Sequence, residues 1–396
     1  MGRLVFTKPL SEISFDDIAA LQQNRIHESD ILDYKTGLVD DDQLIKHVVA
    51  FSNTRGGFIL FGVEETGKGG FPKDIPGVVS EEINKERMEQ ILLSNVSPRV
   101  HVKLREIPHT PSGRSVLVVQ IPDSSLKPHM NLRLRKYHKR YEFEAMEMEE
   151  SEVSDAYRRR LMTYQQVDEH LRMVLSKSDS RCKVLGQVVV IPTVLDSRLI
   201  DTSDKEALAW LDPNKINPQP AGFSFAPNFG YVPSFPAPSP RGVVCQNDSP
   251  ASFREYLELH RNGCVEYGDD VASFEVEGRP GLAYFPYVVF CVRLLHTLQF
   301  ASMVYSHYNY FGDVRLVISI KPSDKLVMPA RFHMDDEVCK SSVILVDREV
   351  PSTMLESDHS FVASHIMHEI FNHFGFWRCH LFDEKGSLIR EKLTES

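Results

Sequence analysis

Hydrophobic and polar positions along the first 165 residues switch between two periods, and each switch marks an element. Residues 31–35 predict a short strand, entered from the polar turn at 26–30. Leu44, Ile45, Val48 and Val49 then recur at helical spacing, with Asp40 or Asp41 standing where an N-cap belongs. The helix stops in AFSNTRGG (50–57), whose Asn53 and Gly56-Gly57 pair predict a turn with positive φ. FILFGV (58–63) is apolar without a break, which predicts a central, buried strand. It runs into Glu64-Glu65-Thr66-Gly67, a turn at the carboxyl end of the strand, where α/β sheets commonly place their sites. Leu132 and Leu134 alternate with Arg133 and Arg135 and predict a strand with one basic face. From Ser151 the pattern is helical, with Val153, Tyr157, Leu161 and Met162 on one side, until the polar break SKSDSR (176–181).

The second half reads differently. A β-branched run at 188–194 and a helix-like DKEALAWL (204–211) precede a long loop, 213–240, that holds eight of the 23 prolines. Phe223, Phe225, Phe229, Tyr231 and Phe235 are interleaved with them, so the loop is expected to wrap the domain surface; a ligand lid is the alternative. Residues 253–268 predict two strands around Asn262-Gly263, a strong hairpin signal. An apolar helix over 287–310 closes at Gly312, the strand VRLVISI follows, and 361–376 predict an amphipathic helix. The fold class is therefore α+β overall, an α/β N-terminal domain with a mixed sheet followed by a second α+β domain. The expected division is 1–165, a helix end and linker at 166–185, and 186–396.

Length and composition leave this picture in place. The 396 residues suit two domains, and 42% hydrophobic with 25% charged residues are ordinary globular values. The most apolar stretch, 287–295, is interrupted by Arg293 and falls short of the roughly 20 residues a membrane span needs. No secretory or myristoylation signal opens the chain, and the six cysteines are widely spaced without a CxxC pair. A cytoplasmic protein with reduced thiols and no membrane association is expected.

Net charge does change the picture. The total of −10 argues against a polyanion partner, but it is unevenly distributed. Residues 1–165 carry 23 basic against 25 acidic side chains, and the remainder 22 against 30. Within 97–140, ten basic residues face only Glu106 and Asp123. Lys103, Arg133, Arg135, Lys136, Lys139 and Arg140, with Tyr137, His138 and Tyr141 among them, are candidates for holding phosphates and stacking bases. A charge-protected edge strand is the structural alternative.

The candidate chemistry is acidic. Asp33 and Lys35 are two apart on a strand and share a face; if the strands at 31–35 and 58–63 pair, Glu65 converges with them and Glu28 reaches in from the loop. Clustered carboxylates repel unless a cation neutralises them, and hard oxygen donors suit Mg²⁺ or Mn²⁺, which activate water and shield a phosphodiester's developing charge. Lys35 would support the same charge. Solvated strand-end acids fit the spacing as well. In the last helix His365, His368, Glu369 and His373 do not form HExxH, and with the cluster 333–337 they are read as hydrated polar positions. No GxxxxGK[ST] is present for nucleotide phosphate.

Glu28-Ser29, Asp33-Tyr34-Lys35, AFSNTRGG and Ile59–Glu65 together resemble the Schlafen AlbA-type domain, with weaker similarity through 121–129 and 137–153. The resemblance covers about 26–160. It implies one of two roles: an endoribonuclease cleaving structured RNA such as tRNA, with acids matching Glu28, Asp33 and Glu65 on a divalent metal, or a non-catalytic DNA- or RNA-binding regulator. Asp33 stands where the family mostly has Glu. The family's structural zinc needs His and Cys ligands, this half has no cysteine, and no structural zinc is expected. The family's nuclease core has two lobes where one is seen here, so a homodimer is expected. A third role, from another class, is a dimerisation scaffold whose C-terminal domain binds a ligand or protein.

Overall fold

A computed structural model of the chain describes residues 5–6, 8, 10–67, 69–109, 113–178, 182–195, 199–201, 237–246, 255–272, 275–308, 310–329 and 336–393. Packing divides it into two units, Met1–Gln165 with Ser306–Gly312 and Gln166–Tyr305 with Asp313–Ser396. Each mixes helices with sheets, so the α+β class holds.

The first unit is built on a five-stranded sheet of β1 (Leu32–Lys35), β2 (Gly57–Phe61), β8 (Arg114–Ile121), β5 (Val78–Val79) and β7 (Lys103–His109). β1 and β2 run parallel; β2, β5 and β7 are antiparallel to β8. Both faces are covered, which is why 58–63 lacks polar positions. Ile59 and Phe61 pack with Leu117 and Val119 under α2 (Asp41–Ser52) and α3 (Lys85–Asn95), while Leu60 packs with Leu32, Tyr34 and Val118 under α1 (Phe15–Gln23). Each such side chain contributes about 1.5–3 kcal/mol by burial, enough to seat α2 firmly on the sheet. Asp40 caps α2, accepting a hydrogen bond from the Gln43 amide at 2.8 Å.

Glu64 and Glu65 were expected in a turn; they form β3 (Glu64–Glu65), paired with β4 (Pro72–Asp74). A four-stranded sheet joins β11 (Glu144–Glu147), β10 (Lys136–Tyr141), β9 (Met130–Asn131) and β6 (Val96–Ser97). The predicted basic-faced strand at 132–135 is instead the turn between β9 and β10. Leu132 and Leu134 are exposed there, and Arg135 has φ +56°, incompatible with an extended strand. The helix from 151 is α4 (Glu150–Leu175), but Tyr157, Leu161 and Met162 of its proposed apolar side are exposed, and its buried residues are Val167, Leu171 and Val174.

The second unit holds a seven-stranded antiparallel sheet in the order β13 (Ala237–Pro238), β14 (Gly242–Gln246), β15 (Tyr256–His260), β16 (Val265–Asp270), β12 (Leu185–Pro192), β18 (Asp313–Lys321) and β21 (Ile344–Pro351). The Asn262-Gly263 hairpin forms as expected between β15 and β16, with Gly263 at φ +84°. A small sheet of β17 (Ala283–Tyr284), β19 (Leu326–Met328) and β20 (Glu337–Val338) accompanies α5 (Tyr287–His307), α6 (Ser352–Ser357) and α7 (His359–Asn372). At 21 residues α5 is long and apolar enough to cross a bilayer, contrary to the expectation from 287–295 alone, yet 72% of its most apolar window is buried in the folded protein. Its Arg293 is balanced by Glu255 and Asp269. Glu369 of α7 pairs with Arg348, and His373, which caps the helix, has its Nδ1 2.7 Å from Ser341 Oγ. Residues 204–211, loop positions 213–236 and His333–Asp335 of the acidic cluster lie outside the described residues.

Candidate functional site

Alternation along β1 decides where its charges go. Leu32 and Tyr34 enter the core beneath α1, so Asp33 and Lys35 face the opposite side, toward α2. Lys35 Nζ lies 2.6 Å from Asp33 Oδ1, and Arg140 Nη1 of β10 lies 3.2 Å from Oδ2. His47 Nδ1, presented by α2, is 3.4 Å from the same oxygen. Asp33 is only 1% exposed. Burial alone would raise its pKa, but a hydrogen bond with Glu28 and the charges of Lys35 and Arg140 outweigh it and hold the carboxyl below its ordinary value. Burial also keeps His47 neutral, pushing its pKa down to about 4.

Glu28 sits at the entry to β1. One carboxyl oxygen accepts from the Tyr34 amide at 2.8 Å and the other from the Gly69 amide at 3.2 Å. Burial, then the hydrogen bond with Asp33, pushes its pKa up to about 8. Glu65 Oε2 accepts from the next amide, Gly70, at 3.3 Å. Glu28, Asp33 and Lys35 are thus brought together, and Glu28 and Glu65 brace adjacent amides of one turn. The three acids do not form a metal-sized set: among the described residues, the triplets with all ligand atoms within 4.8 Å are His170–His260–Cys264 and Glu258–His260–Glu266.

The AFSNTRGG segment builds this site from behind. Asn53 ends α2, donates to the His129 and His138 carbonyls at 2.8 and 2.9 Å, and accepts from the His129 amide. Thr54 Oγ1 donates to the Ala50 carbonyl and accepts from the Arg140 amide at 2.8 Å. Together they clamp β9 and β10 to the end of α2 and so place Arg140 against Asp33. Gly56 (φ +65°) and Gly57 (φ +137°) have the positive φ expected of them.

The basic candidates divide. Arg140, read as a phosphate contact, is buried in the ion pair with Asp33. Arg133 pairs with Asp42 at 2.7 Å, Lys136 with Glu147 at 2.6 Å, and Lys139 with Glu152. Lys103 Nζ lies 5.3 Å from the centre of the Phe311 ring. Arg135 projects from the β9–β10 turn and is exposed. His47 was missed because it reads as one polar position at the edge of the apolar face of α2; its place between Leu44 and Val48 is the only local signal it carries.

A model of the family "Schlafen, AlbA_2" matches residues 28–149. Similar solved structures include the N-terminal domain of a RecG-related protein from Nitrosomonas europaea, determined by solution NMR; it is 17% identical over 35% of this chain and 93% of that one, with a TM-score of 0.25. No curated protein matches the chain. The matched stretch contains Glu28, Asp33, Lys35, Glu65, the AFSNTRGG clamp and Arg140, and residues 28–149 form a Schlafen AlbA_2 domain.

Proposed function

We propose that the Schlafen AlbA_2 domain of this chain binds nucleic acid, RNA or DNA, and in the arrangement described here does not cut it. The family points to nucleic-acid binding or a nuclease-like role. The observation that supports binding without cleavage is the surroundings of Asp33, whose oxygens already face Lys35, Arg140 and His47. A divalent ion held by Glu28, Asp33 and Glu65 would have to remove the Glu28 proton, release the Gly69 and Gly70 amides and displace Lys35 and Arg140. Mg²⁺ demands oxygens in a near-octahedral shell at about 2.0–2.1 Å, and this donor set does not fit it.

One observation favours the other reading. Glu28, raised to about 8, adjoins Asp33, held low, and carboxyl pairs with separated proton affinities are how sites divide acid and base roles. On that reading the domain is an endoribonuclease acting on structured RNA such as tRNA, dependent on Mg²⁺ or Mn²⁺ and working as a homodimer. Purified full-length protein incubated with labelled tRNA or duplex DNA, in Mg²⁺, Mn²⁺ or EDTA, separates the two. Retarded but intact nucleic acid in every condition supports the binding reading. Metal-dependent cleavage that is lost in Glu65→Gln while binding survives replaces it with the nuclease, and neither binding nor cleavage sinks both.

A further inference from the structure

Three side chains with metal-ligating atoms meet in the second unit, outside residues 28–149. The β15–β16 hairpin folds back at Asn262-Gly263 and places His260 beside Cys264, with the His260 amide donating to the Cys264 carbonyl at 2.8 Å. Cys264 is fully buried and packs with Val167, Leu171 and Val174 of α4 and with Val189 and Ile191 of β12. That packing fixes where α4 crosses the hairpin. His170, three residues after Val167, is thereby brought onto His260, its Nε2 lying 2.9 Å from His260 Nδ1. One ligand atom each of His170, His260 and Cys264 fall within 4.8 Å of one another.

We propose that His170, His260 and Cys264 form a binding site for a borderline-soft divalent transition metal of the Zn²⁺ class. Two imidazole nitrogens and a thiolate are the donors such ions prefer, and three protein ligands leave one tetrahedral position for water or another molecule. A cavity of about 530 Å³, lined by Gln166, Glu169, His170, Met173, Leu195 and Asn262, reaches His170 and offers an entry path to it. His260 is 1% exposed, and its Nε2 faces Glu266 Oε2 at 3.3 Å and Glu258 Oε2 at 3.7 Å. Metal-bound histidines characteristically turn their second nitrogen to a carboxylate in this way.

The neighbouring triplet, Glu258–His260–Glu266, is not the site. Lys177 Nζ already lies 2.8 Å from Glu258 and 2.7 Å from both Glu266 oxygens, Arg241 pairs with Glu258 at 2.9 Å, and Tyr256 donates to Glu266 at 2.6 Å. Those carboxylates are neutralised from within the chain, which leaves the choice of ion to the histidines and the thiol. In the metal-free protein one proton lies between His170 Nε2 and His260 Nδ1. On binding it moves to His170 Nδ1, where water in the adjoining cavity can accept it, because the Asn262 oxygen is engaged by the Cys264 amide at 3.1 Å. The Cys264 thiol releases its proton to solvent as the sulfur–metal bond forms. A tetrahedral site with bonds of about 2.0 Å separates two nitrogens by about 3.3 Å, so the imidazoles part by a few tenths of an ångström on loading.

Full-length protein stripped with a chelator and titrated with Co²⁺ tests this. The expected result is one Co²⁺ per chain, with the ligand-field bands of tetrahedral cobalt and an intense thiolate-to-cobalt absorption, both abolished by added Zn²⁺. Cys264→Ser should lose the thiolate absorption. His170→Gln, on the cavity side of α4, should weaken Co²⁺ at least about tenfold while the metal-free variant still unfolds cooperatively. Absence of a tetrahedral cobalt spectrum in the unaltered protein overturns the proposal, as does an unchanged spectrum in both variants. If Cys264→Ser does not fold, the unaltered protein and His170→Gln decide the matter.

Discussion

Arg140 Nη1 lies 3.2 Å from Asp33 Oδ2 with 0% and 1% of their side chains exposed, so a buried ion pair ties the four-stranded sheet of the first unit to its five-stranded one. Arg140 is held further by the Ser29 carbonyl at 2.9 Å and by stacking 4.4 Å from the Phe51 ring centre. Removing Arg140 leaves the buried Asp33 carboxylate half compensated, with Oδ1 on Lys35 at 2.6 Å and Oδ2 without its cation. Arg140→Met should therefore cost about 3–5 kcal/mol in urea unfolding, and adding Asp33→Leu should recover part of that loss. A change below about 1 kcal/mol in Arg140→Met would show that the pair carries no structural weight.

This pair also marks how far the sequence could be read. Period-two alternation placed Asp33 and Lys35 on one face, and the Asp40 cap, the unbroken β2 run and the Asn262-Gly263 hairpin follow from interactions within a few residues. Arg140 could not be sorted in the same way. A basic residue in a strand reads alike whether it meets a phosphate or a buried carboxylate, and its partner lies more than a hundred residues upstream. The same holds for His170, which only the fold of α4 over the hairpin brings to His260. The AFSNTRGG segment was legible as a helix stop, but the Asn53 clamp on His129 and His138 depends on strands that do not exist until the second sheet forms.

Glu28 gives the protein a pH signature. Its folded pKa of about 8 lies above the ordinary carboxyl value of 4.5, so between those limits the folded chain binds more protons than the unfolded one and stability falls as pH rises. His47, lowered to about 4, has the opposite effect, but only below its ordinary value of 6.5. From about pH 7 to pH 8 the Glu28 contribution therefore stands apart, with a slope of at most about 1.4 kcal/mol per pH unit. Glu28→Gln, which cannot ionise, should gain on the unaltered protein across that interval in parallel denaturant titrations. A constant difference between the two would mean that Glu28 is already ionised at neutral pH.

Arg135 separates binding from folding. It is exposed in the β9–β10 turn at φ +56°, whereas Arg133, Lys136, Lys139 and Arg140 are each paired with an acid. Glycine adopts that backbone without strain, and a non-glycine residue there costs about 1–2 kcal/mol. Arg135→Gly should therefore stabilise the fold by about 1 kcal/mol while weakening nucleic-acid binding and lowering its salt-dependence slope by about one. Unchanged affinity would remove this turn from the interface.

Gly57 connects backbone to site. It has φ +137°, and a Cβ there would lie 2.2 Å from the Ile31 carbonyl oxygen, which accepts the Phe58 amide at 2.9 Å and holds β1 beside β2. Nothing on a flexible side chain can yield to relieve that contact, so Gly57→Ala must push β1 away from β2 and cost more than about 1 kcal/mol. Gly37, with open space around it, is the control and should tolerate alanine within about 0.5 kcal/mol. Because Asp33 and Lys35 ride on β1, the displacement should also reach α2. His47, neutral down to about 4 chiefly through burial, should titrate closer to its ordinary 6.5 in Gly57→Ala as water enters beside it. Histidine ring resonances followed by NMR across that range will show this, and a His47 titration identical in the two proteins would mean that the seat of the carboxylate site does not depend on the β1–β2 contact.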